Sequence, residues 1–507
     1  MAGVDHPDKT RKRRWGWWVV GTLLLLIVAL VGGHRWWAYR AEAGLERRLG
    51  EYRRAGEPVE PGDLMAAPVS DAENAVPDLR RAASAVPQKS ARWEEFEGLS
   101  LGLPLRDKEV AILEDVVGGH PQPIALVRAA RAKGGVDWGI RFVSPTIHVL
   151  LPDLNGQRGL ANFLHASALL SHHEGNDAEA LERVGDLLFI SRAVDRQPTL
   201  VSHLVATGIS AMASKLAAEL APDLRIAADG AGAGGAAGPE QVRALIAELL
   251  DDGPPRAGFR RAFLGERVFE VDTVKAVVEG RLALGDIAGG GPPPAAAAAV
   301  GYLIKPAALS DAAMMADHVT AVIGAFEASA DWPTFQKVAP ADRPNEMEAR
   351  PAMHVMAAIL MPSLDRVVVT QYRATTDRRL TATAVALRWY AMEHGGKLPA
   401  ALAELVPRYL PAVPADPLAA GGKPIGYVAG RARSIVYSVG ENGTDEGGSE
   451  QPTSTQRGVV RPDRLDKWRL QDSVLHLTRQ PRPKPEEDEQ PEARTATTEP
   501  ATRPVSE

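Results

Sequence analysis

Four histidines, His165, His172, His173 and His203, fall within one stretch of helical apolar periodicity, and such a set is what a metal-dependent hydrolase requires. Their spacing argues against it. His165 and His172 share a helical face but are separated by about 10 Å along the axis, whereas two nitrogens on one zinc ion each sit about 2 Å from the metal. His172 and His173 are adjacent and diverge by about a quarter turn. Neither HExxH nor GxSxG occurs anywhere, so the zincin pair and the serine-hydrolase elbow are both missing. The histidines read as residues of helix surfaces and cores. The competing enzymatic reading assembles a site from His165, Glu174 and His203, and it requires a concave pocket with converging polar groups within residues 60 to 362.

A second set of chemical groups is the stretch Tyr437 to Gly448, YSVGENGTDEGG, where glycine alternates with carboxylates and an amide. A hairpin turn, a metal loop and a linker compete for it. Asn442-Gly443 is the strongest short hairpin signal, whereas a hard cation needs oxygens converging from a flexible backbone. A third feature is a formal GxGxxG at Gly230, Gly232 and Gly235. A dinucleotide site needs a strand before it and an acidic residue ending a second strand. Here LAPDLRIAA precedes it as a helix end, and Asp251 and Asp252 close a helix, so no nucleotide site is expected.

The 507-residue chain is longer than one ordinary core, and roughly two or three units are expected. Hydrophobic residues at 45% and charged residues at 24% are the composition of a folded protein. A net charge of -6 without a clustered basic patch in the body excludes nucleic acid as a partner. The absence of cysteine removes thiol nucleophiles, disulfides and thiolate metal sites.

Trp15 to Gly33, WGWWVVGTLLLLIVALVGG, carries no charge and as a helix spans about 28 Å, the thickness of a bilayer core. Trp15, Trp17 and Trp18 at one end and Trp36, Trp37 and Tyr39 at the other supply two interfacial aromatic belts. Lys9 to Arg14 form a basic cluster before the run, which favours an internal N-terminus by the positive-inside rule. Ala41 to Ala43 is a small-residue site of the signal-peptidase type, but it lies too far beyond a run too long for an h-region, and an uncleaved anchor is preferred. Leu45, Leu49 and Tyr52 then share one helical face, so the membrane helix continues outward or restarts at once.

These observations predict a mainly α protein with a small α+β C-terminal domain. Residues 1–14 are a cytoplasmic basic segment, 15–33 the transmembrane helix, and 34–59 a juxtamembrane helix. Residues 60–362 are a helical domain punctuated by the Gly/Ala/Pro-rich connections Asp229 to Gly238 and Ala288 to Ala299. Within it EGNDAEAL predicts a helix break with Asn176 or Asp177 as N-cap. From 363 to 478 come a long helix over Ser363 to His394 and a short amphipathic helix carrying Leu402, Leu405, Val406 and Tyr409. Three strand candidates follow, in KPIGYVAG, RSIVYSVG and DSVLHLT. Residues 479–507, rich in proline and charge, are expected to be a disordered tail.

That order resembles the C-terminal domain of the major pseudopilin of type II secretion systems. The resemblance is carried by Ala386, Leu387 and Tyr390 at the helix end, Gly396 and Pro399 in the turn, Val413, Pro414, Asp416 and Pro417, then Tyr427, and Tyr437, Ser438 and Gly440. It covers about a fifth of the chain. It departs from the family in two ways: the domain stands about 330 residues from the anchor, and cleavage after Gly16 would put Gly21 where the family has glutamate. Processing and polymerisation as a pilin subunit are therefore not expected. The resemblance implies calcium in the loop after Tyr437-Ser438, with Asn442, Asp445 and Glu446 as ligands beside Glu441 and Glu450. Asn442 stands where the family has an aspartate, which keeps an oxygen and loses a charge. A metal-free turn at Asn442-Gly443 is the preferred alternative, and no other cofactor is expected.

The expected protein is anchored by a single pass in the inner membrane of a bacterial envelope, with the bulk of the chain on the periplasmic side. Its role is expected to be structural or interactive, not enzymatic, with the lipid bilayer and other envelope proteins as partners. Two alternatives stand beside it: an accessory component of a type II secretion or pilus-like machine, and a hydrolase with a site scattered over the helical domain.

Overall fold

The computed structural model describes residues 9–227, 233–288, 294–341, 354–361, 364–430, 433–453 and 466–482. Gly230, Gly232, the start of the basic segment and the tail from residue 483 onward lie outside them.

Helix α1, Lys9–Arg54, is one rod of 46 residues that joins the predicted membrane run to the juxtamembrane helix without a break. Its two halves have opposite surroundings. Leu25 is 70% exposed, whereas Leu45 and Leu49 are buried.

Four short α-helices follow in the described body: α2 Val76–Ala85, α3 Ala91–Glu97, α4 Asp107–Leu113 and α5 Gln122–Arg131 lead to the long α6, Leu154–His173. Helices α7, Asp177–Val194, and α8, Leu200–Leu220, continue the layer. The α6–α7 break forms as predicted: Gly175 takes a positive φ of 79°, which suits a residue without a Cβ, and Asn176 caps α7 by accepting from the Glu179 amide at 3.3 Å. Asp177 has a different task. It is buried and accepts from Arg225 Nε at 2.9 Å and from His172.

Next come α9 Pro239–Leu250, α10 Gly253–Val278, α11 Leu284–Ala288, α12 Pro294–Ala328, α13 Trp332–Val338 and α14 Val355–Leu360. The described parts of both predicted connections are more structured than expected. In the first, Ala237 N donates to Arg225 O at 2.8 Å, and a Cβ on Gly235 would lie 2.6 Å from Gly175 O, so this stretch is docked against the α6–α7 corner. In the second, the residues from Pro294 belong to α12, because alanine is the best helix former and proline is suited to a first helical position.

Helix α15, Leu364–Glu393, matches the predicted long helix to within a residue at each end. The short helix after it is a single turn, Leu402–Leu405, since Val406 precedes Pro407 and is forced to extended backbone. Strands β1 Gly426–Val428, β2 Ile435–Ser438 and β3 Ser473–His476 form an antiparallel sheet in that order, with Val436 paired to both Tyr427 and Leu475. Asp416, 1% exposed, ties the turn to the sheet: it accepts from Ser438 Oγ at 2.7 Å, Val439 N at 2.9 Å and Leu418 N at 2.9 Å.

The predicted boundary at 362/363 does not separate two cores. Leu387 and Trp389 of α15 and Val436 of β2 share one apolar cluster with Leu169, Leu216 and Leu245, because α15 packs across α8 and α9. The tail also begins later than expected. Arg479 pairs with Asp223 at 2.6 Å, and Arg482 donates to both oxygens of Glu109 at 2.6 and 2.8 Å, so residues 479–482 strap the sheet to α4.

Candidate functional site

A cavity of about 600 Å³ opens where the α7–α8 junction meets α10 and α15. Thr199 sets the start of α8, accepting from the Ser202 amide at 3.1 Å. One turn later, His203 donates from Nδ1 to Asp195 Oδ1 at 2.7 Å, and its buried ring meets Phe259 edge-on. Two glycines of α10 make this approach possible. A Cβ on Gly258 would fall 1.7 Å from Asp195 Oδ2, and one on Gly265 would fall 1.9 Å from Pro198 O.

Four arginines share the cavity wall with Asp195, Glu248 and Asp251, and three of them, Arg192, Arg261 and Arg378, are held by partners there. Arg192 pairs with Glu248, and Arg261 Nη1 donates to the Asp195 carbonyl at 2.8 Å. Arg378 donates through Nη2 to the Glu248 carbonyl at 3.0 Å and to that of Asp251, closing the end of α9. Its Nη1 is buried without a hydrogen-bond acceptor and faces Asp252 Oδ1 at 3.5 Å. Burial lowers the pKa of all three guanidinium groups, and the positive charges of Arg131 and Arg378 lower Arg192 further. The wall thus mixes guanidinium and carboxylate groups and suits a small polar ligand. It is poorly arranged for acyl transfer: among the described residues Asp195 is the one hydrogen-bond partner of the His203 ring, and Ser191 gives its hydroxyl to the Ala206 carbonyl at 2.7 Å.

The scattered set His165, Glu174 and His203 is not brought together. His165 lies on a separate groove beside Lys215 and His476, and burial, with the charge of Lys215 added, lowers its pKa to about 4. Glu174 ends α6 in solvent. His172 is bound to Asp177 and His173 is exposed. Among the described residues no group of three or more His, Cys, Asp or Glu side chains is placed to hold a metal ion.

In the 437–448 loop the expected calcium ligands have protein partners. Asn442 Oδ1 accepts from Thr444 N at 2.9 Å, Asn442 Nδ2 donates to Glu446 Oε1 at 3.0 Å, and Asp445 Oδ1 accepts from Gly447 N at 2.9 Å and Tyr437 Oη at 3.1 Å. Glu441 pairs with Arg373 and Glu450 with His476. Two buried oxygens lack a donor, Glu446 Oε2 and Oδ1 of Asp472, a residue the sequence reading missed because it lies just before β3. Burial raises both carboxyl pKa values, and the facing negative charges of Asp472 on Glu446 and of Asp445 on Asp472 add to it. Asp472 Oδ2 itself is occupied by Gly448 N at 2.8 Å and Ser449 N at 2.7 Å. The side chains of this loop thus hold one another in a hydrogen-bonded turn, with Glu446 Oε2 and Asp472 Oδ1 as its buried oxygens without a donor.

Comparison of the chain with family models, with curated proteins and with solved structures gives no match. The pseudopilin resemblance therefore rests on its own residues.

Proposed function

We propose that this chain is a single-pass envelope protein held in the inner membrane by α1, with residues beyond the anchor on the periplasmic side and a non-enzymatic role in binding or organisation. The observation that carries this reading is the change along α1: every described residue of the apolar run up to Gly33 is exposed, and burial against the body begins only beyond it. A packed soluble protein has no reason to hold out a bare apolar rod with tryptophan at both rims. The basic cluster at Lys9 to Arg14 supports the orientation. The cavity at His203 is where the body would take a small polar ligand, and the 437–448 loop is read as a hydrogen-bonded turn.

The order of long helix and three-stranded sheet, with Asp416 tied to Ser438, supports a second reading as an accessory part of a type II secretion or pilus-like machine. Crosslinking in intact cells separates the two: recovery of secretion or pilus components favours the machine, and recovery of unrelated envelope proteins favours the first reading. Loss of a hydrolytic activity in His203→Ala, with the fold intact, would overturn the non-enzymatic role.

A further inference from the structure

Helix α12 runs alongside α1 in the same direction and in one register. His34 Nε2 donates to Leu303 O at 3.2 Å and Arg48 Nε to Asp317 Oδ2 at 2.6 Å, and both pairs are offset by 269 residues. Tyr302 lies over His34 with ring centroids 4.8 Å apart, and Leu45 and Leu49 bury against Ala308, Leu309 and Ala312. The contact with α1 thus begins at His34, directly after the apolar run ends at Gly33. α12 itself starts at Pro294, which the register places level with Leu25, well inside that run.

We propose that the amino-terminal end of α12 is a second membrane-seating element, which rests in the headgroup and upper acyl layer of the bilayer beside α1. Three observations meet here. From Ile287 to Ile304 the sequence has no charged residue, so this end carries nothing that water must solvate strongly. Leu303 at 67% and Tyr302 at 47% are exposed and lie against His34, two residues before Trp36, which extends the aromatic rim of α1 onto a second helix. Above His34 the two helices part: Leu30 and Ile27, one and two turns before His34 on the same helical face, are 72% and 47% exposed, which leaves room for lipid between them.

The depth is limited from the other side. Gly280 packs against Ala298, at 3.1 Å from the position of an added Cβ, and its neighbours Glu279 and Arg281 are paired at 2.7 Å and partly exposed. Those charges hold the element at the interface, at roughly the 5–10 Å burial of an interfacial helix, instead of letting it cross. Arg40, stacked over Trp36 at 5.1 Å, is placed for lipid phosphate. The consequence is mechanical: one spanning helix leaves a body free to swivel, whereas two contacts a helix diameter apart fix which face it turns to the membrane.

The proposal rests on α1 being in the membrane, and the test separates the two. The chain has no cysteine, so Leu303→Cys, Leu25→Cys and Lys397→Cys each give the full-length protein one labelling site for an environment-sensitive fluorophore. Each is reconstituted in vesicles of phosphatidylethanolamine and phosphatidylglycerol carrying a quencher either near the headgroup or deep on the acyl chain. The seat predicts that the Leu303→Cys label shifts to the blue and loses most of its emission to the shallow quencher. The Leu25→Cys label should lose it to the deep quencher, and the Lys397→Cys label to neither. If Leu25→Cys is quenched while Leu303→Cys behaves like Lys397→Cys, the seat is wrong and the anchor stands. If neither Leu25→Cys nor Leu303→Cys is quenched, the anchor itself is wrong and the seat falls with it.

Discussion

Among the described residues two helices are long and apolar enough to cross a membrane, and the fold treats them in opposite ways. The apolar part of α1 is bare; more than half of α8 is buried. Composition alone does not separate them, but polar pattern and partners do. The α1 run has one polar side chain, Thr22, which satisfies itself by donating to the Trp18 carbonyl at 2.9 Å. Helix α8 carries Ser202 and His203 at its start and Lys215 further on, and each needs a partner or solvent that lipid does not supply. Ser202 Oγ donates to Gln197 at 2.9 Å, His203 meets Asp195, and α6, α7 and α15 cover the apolar remainder.

Truncation should expose this contrast most strongly. Leu216→Ala in α8 empties a fully buried site and is expected to cost about 2–5 kcal/mol in denaturant unfolding of the detergent-solubilised protein, whereas Leu25→Ala in α1 should leave the body's stability unchanged. Equal losses would mean that the two helices have the same surroundings. Glycine substitution sharpens the comparison. Gly258→Ala forces Asp195 away and is expected to destabilise by about 1–3 kcal/mol, while Gly32→Ala meets open space and should be neutral or stabilising by up to about 1 kcal/mol.

A pH titration tests the groove where α6 meets α8. The His165 pKa is lowered to about 4 from an ordinary value of 6.5, so the unfolded chain takes up the proton first. Stability should therefore fall as pH drops through that window, and His165→Gln should flatten the fall in Tm between pH 7 and pH 5. An unchanged slope in the variant would assign the acid sensitivity to another group. The smallest effect expected is at the head of α8, where Thr199→Ala removes the cap at a cost of about 1 kcal/mol, and Thr199→Ser should restore most of it.

What could be read from the sequence was local. The break at Gly175-Asn176, the extent of α15 and the three strands follow from signals within a few residues of one another. The apolar run of α1 is legible because its length and lack of charge stand out in the sequence itself. The cavity was not legible: it needs Gly258 and Gly265 of α10 to admit the α7–α8 junction, and nothing near His203 in sequence announces them. Asp195, eight residues before His203 at the end of the preceding helix, was the one signal within reach. The expected separation at 362/363 failed for the same reason, since the contacts of α15 with α8 and α9 join residues more than a hundred positions apart. Asp472 was missed because the turn it closes begins at Tyr437, on the far side of residues 454–465.

The central claim is that α1 crosses a membrane with the body on the outer side. Ala2→Cys and Lys397→Cys, each the sole cysteine of the full chain, can be treated with a membrane-impermeant maleimide in cells whose outer membrane has been permeabilised and whose inner membrane is intact. The account predicts that Lys397→Cys is labelled at once, that Ala2→Cys is labelled only after lysis, and that both proteins stay with the membrane after alkaline extraction. Lys397→Cys protected until lysis, or protein released by alkali, would contradict it.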